Sequence, residues 1–420
     1  MSQPYSLYFH IPFCKHRCAY CDFNTYAGQE DSIPAYVDAL IGEINYVGRI
    51  AVRQRIETDA RTVFFGGGTP SLLSPEQFDS IFRAIRENFN LREDSENTIE
   101  ANPGTVSFED LQQLRKIGIN RISFGVQSAN AEELRMLERV HDFFEVIQAV
   151  KFARKAGFDN LNLDLIYGLP EQTLETWQTT VKRILDLHPE HISAYALTLE
   201  HGTPFGRWSS KGLLPLPDPD LAAEMYEWAS DELASAGYVQ YEISNWALDD
   251  GQMAADRSLS SIVHRLPSRA CKHNLQYWRG LPYLAFGAGG HGYANGYRYS
   301  NVLRIKTYIE RMNDFRESRI EFPLSPATVN QHKQTESDDM SEFMMTGLRL
   351  VKAGVTEADF RSRFGRGLMD VYPNEIEELV RLGLLEWAQN NTSEVFKTSE
   401  VLRLTSRGRL LGNQVFVRFV

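Results

Sequence analysis

The sequence predicts an α/β fold built on parallel strands, and three observations predict it. Six apolar strand-like runs recur between Ser6 and Leu199, and helical patterns alternate with them. Turn residues punctuate the joins, as in Gly66-Gly67-Gly68-Thr69-Pro70, Asn102-Pro103-Gly104 and Gly168-Leu169-Pro170. Strand–helix units in succession require parallel strands with right-handed crossovers, which an open doubly wound sheet and a barrel both satisfy.

The elements follow in order. Ser6–Ile11 is the first strand and stops at Pro12. A helical stretch opens at Ser32-Ile33-Pro34 and runs past Tyr46. Thr62–Phe65 is the second strand. Ser74-Pro75-Glu76-Gln77 starts a helix, with proline at the first helical position and acid in the first turn. Thr98–Ala101 is the third strand and precedes a helix at Ser107–Ile117. Arg121–Val126 is the fourth strand, with helices through Lys155. Leu161–Tyr167 is the fifth strand, and Thr173–Leu187 is helical. His191–Leu199 is the sixth strand, and Pro219–Ala236 is helical again.

Composition bounds the class. At 420 residues the chain is long enough for a large core and more than one domain. Apolar residues at 43% and charged residues at 24% are ordinary for a soluble globular protein. No apolar run reaches the ~18 residues of a transmembrane helix. Met1-Ser2-Gln3-Pro4 shows no basic region leading into an apolar one, so no signal peptide is expected and the expected location is cytoplasmic. The net charge of −11 argues against nonspecific nucleic-acid binding.

Three of the four cysteines sit in Cys14-Lys15-His16-Arg17-Cys18-Ala19-Tyr20-Cys21. Three thiolates on one loop suit three irons of a cubane cluster and leave the fourth iron open, whereas purely electron-carrying clusters usually have four cysteines. Two other readings fit the spacing. A structural zinc site would recruit His10 or His16 as fourth ligand. A disulfide would leave one thiol over.

In either parallel architecture, function gathers at the carboxyl ends of the strands. There the sequence places the cysteine loop, the triple glycine, Glu100, Gln127 and Asp164. Each polar residue follows or interrupts an apolar run, and a single one would read as a satisfied core group. Together they mark a site. The glycines permit close backbone approach, but lack the order of a dinucleotide or P-loop motif.

These residues resemble the radical S-adenosylmethionine (SAM) enzymes, in their oxygen-independent coproporphyrinogen III oxidase-like branch. The resemblance rests on His10-Ile11-Pro12-Phe13-Cys14-x3-Cys18-x-Tyr20-Cys21, Gly66–Pro70, Gly125-Val126-Gln127-Ser128 and Asn162–Pro170. It implies a partial (β/α)6 TIM-like barrel with a C-terminal winged-helix-like α+β domain. It further implies a [4Fe–4S] cluster on Cys14, Cys18 and Cys21, with SAM on the open iron. Tyr8 and Tyr20 would line that site, and Gly67, Gly68 and Thr69 would hold the SAM amino group. Glu100, Gln127, Arg139 and Asp164 would bind the rest of the nucleoside and methionine.

Three further features point to one branch. The oxidases carry another cysteine two places after the third, where this chain has Asp22-Phe23, and the chain starts its first strand without the oxidase's N-terminal extension. His273-Asn274-Leu275-Gln276-Tyr277-Trp278 resembles the His-Asn-x-x-Tyr-Trp motif of this group's heme chaperones. The resemblance implies heme binding and delivery to respiratory hemoproteins, with an electron donor such as flavodoxin or ferredoxin. His273 would ligate heme while Tyr277 and Trp278 packed on the macrocycle. The plain reading of that segment is packing around a satisfied histidine. The alternative function is oxidative decarboxylation of porphyrinogen propionates, in which SAM cleavage would yield a 5′-deoxyadenosyl radical. Whether SAM is turned over stays open.

The expected organisation is a barrel over 1–247, a polar insertion over 248–272, a barrel-associated segment over 273–322 and the C-terminal domain over 323–420. Cys271 reads as a small hydrophobe or a second heme-side ligand, and His291 as a weaker ligand candidate. Gly287-Ala288-Gly289-Gly290-His291-Gly292 is expected to bring backbone close to the SAM or heme pocket. Helices followed by a small hairpin near the C-terminus would suggest DNA binding in isolation, which Asp338-Asp339 and Glu375-x-Glu377-Glu378 argue against.

Overall fold

A computed structural model describes residues 3–249, 251, 253–254, 266–314, 320–389 and 400–420. The chain forms two compact units, one of Met1–Asp231 with Pro282–Lys333, the other of Glu232–Leu281 with Gln334–Val420.

The first unit carries the parallel strands β1 (Tyr5–Ile11), β2 (Asp59–Gly67), β3 (Asn90–Ala101), β4 (Arg121–Gln127), β5 (Leu161–Tyr167) and β6 (His191–Ala196). They lie side by side in sequence order, each parallel to the next. A doubly wound sheet reverses its order at a switch point; here the winding never reverses. The outer edge of β1 pairs with a seventh parallel strand, β7 (Tyr283–Phe286), and not with β6. The antiparallel strands β8 (His291–Ala294), β9 (Tyr297–Asn301) and β10 (Thr328–Lys333) continue from it. The six-strand winding therefore runs in one direction and is unclosed.

Side chains alternate along β1 as a strand requires. Leu7, Phe9 and Ile11 are fully buried, and Phe9 stacks on Phe65 and Phe286 with ring centroids 5.0 and 5.1 Å apart. Ser6, Tyr8 and His10 take the other face, which is polar. Inner polar groups pair across neighbouring strands: Thr62 Oγ1 donates to Ser6 Oγ at 2.6 Å, and Asn162 Nδ2 donates to Ser123 Oγ at 2.7 Å.

Strand bounds depart from the expected ones where polarity hides them. β3 begins at Asn90, through exposed charged residues, rather than at Thr98. β6 stops at Ala196, short of Leu199.

The second unit contains a three-stranded antiparallel sheet in the order Val355–Thr356, Glu400–Leu404, Leu385–Gln389. Helices Glu336–Gly347, Glu357–Phe364 and Pro373–Arg381 pack on it through Met344, Phe360, Ile376 and Leu402. The apolar C-terminus partly joins this core: Val415 and Phe419 are buried, while Val420 is exposed. A hairpin, Tyr238–Glu242 with Asn245–Leu248, and the helix Lys272–Trp278 belong to the same unit. Tyr241, Ala247 and Leu275 bury themselves with Leu350 and Ala353. The two units thus cut the chain elsewhere than the four expected segments, because long-range apolar packing draws 232–247 and 273–281 toward the C-terminal residues. Most of the expected polar insertion, including residues 255–265, lies outside the described residues.

Candidate functional site

The cysteine loop leaves the end of β1 and is stitched at its base. Phe13–Cys14 pairs with Tyr26–Ala27, and Tyr26 N donates to Pro12 O at 2.7 Å. Within the loop, Cys21 N donates to Cys18 O at 3.1 Å. The glycine turn after β2 runs against the same base: Gly68 N reaches Ile11 O at 2.9 Å and Thr69 N reaches Phe13 O at 2.7 Å. This contact explains the glycines. A Cβ on Gly68 would lie 2.6 Å from Phe13 O, and Gly67 has φ +110° with the His10 ring 2.5 Å from where its Cβ would stand.

All four cysteines are free thiols. Cys14, Cys18 and Cys21 line one cavity of about 510 Å³, together with Tyr20, Gly67, Gly68, Thr69, Glu100, Gln127, Arg139 and Asp164. Of the expected cluster–SAM residues only Tyr8 stands outside this lining; its hydroxyl meets His10 Nδ1 at 3.0 Å and its ring stacks on Phe64. Two donors point at the sulfurs. Thr69 Oγ1 lies 3.6 Å from Cys14 Sγ, and Arg139 Nη1 lies 3.5 Å from Cys18 Sγ. Burial, above all, pushes the Cys14 and Cys21 thiols up; bound iron would reverse that by favouring thiolate.

The histidines that a zinc site would need are engaged elsewhere. His10 Nε2 bonds Asn24 O at 2.9 Å, and His16 Nε2 bonds Glu138 at 3.0 Å. Among the described residues no three His, Cys, Asp or Glu side chains gather around a point that would suit a single ion. A cubane spreads its thiolates over three irons and makes no such demand.

The same cavity also carries carboxyl groups. Glu100 accepts Gly67 N–H at 3.1 Å. Its carboxyl is pushed up to about 7, first by burial and then by the neighbouring charge of Asp164. Asp164 accepts from Ser123 Oγ at 2.7 Å and from Asn162 Nδ2 at 2.8 Å, while burial pushes its carboxyl up as well. Gln127, at the end of β4, has φ +73°, a left-handed conformation uncommon for a residue with a Cβ. Such outliers cost of order 1–3 kcal/mol and cluster at functional sites.

Several lining residues escaped sequence reasoning. Asn102 donates to Thr69 Oγ1 at 3.0 Å and accepts from Arg139. Ser123 and Tyr195 also line the cavity, and so does Phe23, 63% exposed. The signal for Ser123 was available: a lone hydroxyl inside an apolar strand, on the face that also carries Asp164.

The expected approach of Gly287–Gly292 to the SAM pocket is not found, since none of these residues lines the cavity. The run instead braces the cysteine loop from behind. Asn24 Nδ2 donates to Ala288 O at 3.2 Å, and Gly289 has no room for a Cβ, which would lie 2.4 Å from that nitrogen. Gly287 N donates to the buried carboxylate of Glu43 at 2.8 Å. His291 is exposed.

In the second unit, His273 and Tyr277 sit on the helix Lys272–Trp278, one turn apart. Both His273 and Cys271 are 1% exposed. Trp278 packs beside Tyr241 and Leu275, and the Arg349 guanidinium lies 4.3 Å from the centre of its ring. Arg349 also pairs with the buried Glu242 at 3.4 Å.

Comparison with known proteins agrees with this geometry. The family model described as "Radical SAM superfamily" matches residues 8–184, and that described as "HemN C-terminal domain" matches 334–392. A curated relative in Bacillus subtilis (strain 168), "Heme chaperone HemW", is 37% identical over 420 residues, covering 99% of each chain. The protein of the same name in Escherichia coli (strain K12) is 33% identical and covers 99% of this chain and 98% of its own. Among solved structures, the coproporphyrinogen III oxidase HemN from Escherichia coli aligns with TM-score 0.76 at 23% identity, over 100% of this chain and 90% of that one.

Proposed function

Because this chain belongs to the radical SAM superfamily and, within it, to the HemW heme chaperone family, we propose that it binds a [4Fe–4S] cluster, SAM and heme and delivers heme to respiratory hemoproteins. The observation that carries this reading is identity to heme chaperones along essentially the whole chain, in both compact units. The likeness to the oxidase structure, at 23% identity, shows the fold alone. Asp22-Phe23, where the oxidases have a cysteine, weighs against the oxidase alternative.

Cys14, Cys18 and Cys21 would hold the cluster, with Thr69 and Arg139 donating toward sulfur. Bound together, the cluster and SAM supply one-electron chemistry at the sulfonium. The protein's own part is recognition. Gly67, Gly68 and Thr69 spend their N–H groups on Glu100 and on the Ile11 and Phe13 carbonyls. What they offer a ligand is carbonyl oxygen, the acceptor that an ammonium needs. Glu100 and Asp164 add negative potential on the same side, and Gln127 supplies an amide to read polar edges. Tyr8 would act through His10, and Tyr20 would close the cavity beside Arg139.

For heme, His273 is the proposed ligand, with Tyr277 and Trp278 as flat neighbours. A flavodoxin or ferredoxin would reduce the cluster. No helix among the described residues is long and apolar enough to cross a membrane, in keeping with work in the cytoplasm. The test is titration of reconstituted protein with ferric heme, followed at the Soret band. Saturation near one equivalent supports the proposal, and absorbance that rises without saturation overturns it.

A further inference from the structure

We infer that His141 is a positioning residue for the SAM site: its Nε2–H holds the Val126 carbonyl, and with it the turn that sets Gln127 at the cavity edge. The inference rests on the cavity being the SAM site, as proposed above.

The argument starts from the strain at Gln127. Its φ of +73° places a Cβ-bearing residue in the left-handed region. The pairing of β4 with β5 shifts register between Phe124 and Gln127, so Gly125 and Val126 bulge out of the ladder. Two side chains from one short connection grip the bulge. Arg139 Nη2 donates to Gly125 O at 2.6 Å. His141 Nε2 donates to Val126 O at 2.8 Å. Val140 between them is 65% exposed. Below the bulge, Ser128 Oγ takes the Asn130 N–H at 2.9 Å and sits 3.3 Å from Thr180 Oγ1. The turn is thus fastened on both sides of Gln127.

His141 itself is 4% exposed and does not line the cavity. A carbonyl only accepts, so Nε2 carries the proton. Its Nδ1 is buried with no hydrogen-bond partner. Leaving a buried nitrogen unpaired is unfavourable, so an imidazole is a poor choice for packing alone. One donor, at one place, is what it contributes. Burial and then the Arg139 charge push its pKa down to about 4, which keeps it neutral and singly protonated near neutral pH.

The test compares His141→Leu, His141→Gln and His141→Asn with the wild type, each with its cluster reconstituted. SAM affinity is read by equilibrium dialysis and iron content by assay. We expect His141→Leu to load full iron while its SAM Kd rises about tenfold, the order of one lost buried hydrogen bond. The Gln amide reaches the Val126 carbonyl and restores most of the affinity; the shorter Asn does not. An unchanged Kd in His141→Leu overturns the inference. If that variant fails to fold, equal affinities for the Gln and Asn variants overturn it instead. Wild-type protein that binds no SAM overturns the reading of the cavity, a separate result.

Discussion

His273 Nε2 and the Tyr277 hydroxyl lie 2.7 Å apart, one helical turn apart, with the two rings at 88°. The imidazole proposed to meet heme iron is therefore buried and already engaged by its own helix. Ligation through Nε2 requires that hydrogen bond to break. Replacing Tyr277 by Phe keeps the ring and removes the competitor, so heme should bind up to about fivefold more tightly, the worth of one net hydrogen bond. His273→Ala should lose or shift the Soret band while iron–sulfur content and SAM affinity stay as they were. An unchanged heme spectrum and affinity in His273→Ala would remove it as ligand and move attention to Cys271 and His291.

Asp164 and Gln127 line the cavity that also holds the three thiols, and both are proposed to bind SAM there. Asp164→Ala or Gln127→Ala should weaken SAM binding about tenfold or more, as loss of a buried polar contact does. Iron content should not change. Two wild-type dissociation constants would take both residues out of the site.

Glu100 gives a pH dependence whose sign is fixed. Its folded-state value, about 7, lies above the ordinary 4.5, because burial and Asp164 disfavour the anion. Its contribution to stability is complete below the ordinary value and is lost as pH rises through about 7. Glu100→Gln abolishes that loss. Without cofactors, the variant should melt higher than wild type at about pH 8, and the gap should close toward about pH 5. Parallel melting profiles across that range would show that Glu100 ionises as it does in water.

The thiol loop yields a prediction on metal content. Anaerobic reconstitution should give about four irons per chain with equivalent sulfide, as cubane ligation requires. Cys18→Ala should abolish it. Stoichiometric zinc without labile sulfide would return the loop to a structural role.

What was legible in the sequence was local. The cysteine spacing and the strand–helix alternation are short-range patterns, and the six strands do lie in sequence order. Inner-face polarity was half legible: Asp164 stood out in its apolar run, but its partners Ser123 and Asn162 were not singled out. The long-range features were not legible. Gly287–Gly292 looked like a pocket motif, and only the fold shows it pressed against Asn24 and Glu43. The helix of His273 was expected beside the barrel, and its packing with Leu350 and Ala353 comes from residues about seventy positions away in sequence.

The central claim is that this chain carries heme and does not oxidise a porphyrinogen. One measurement addresses it directly. Reconstituted protein, with SAM and reductant, is given coproporphyrinogen III in one vessel and ferric heme in another. Propionate decarboxylation is followed in the first, and retention of heme with its passage to an apo-hemoprotein in the second. The account predicts no decarboxylated product, and stable heme binding followed by transfer. Catalytic decarboxylation without heme retention would contradict it.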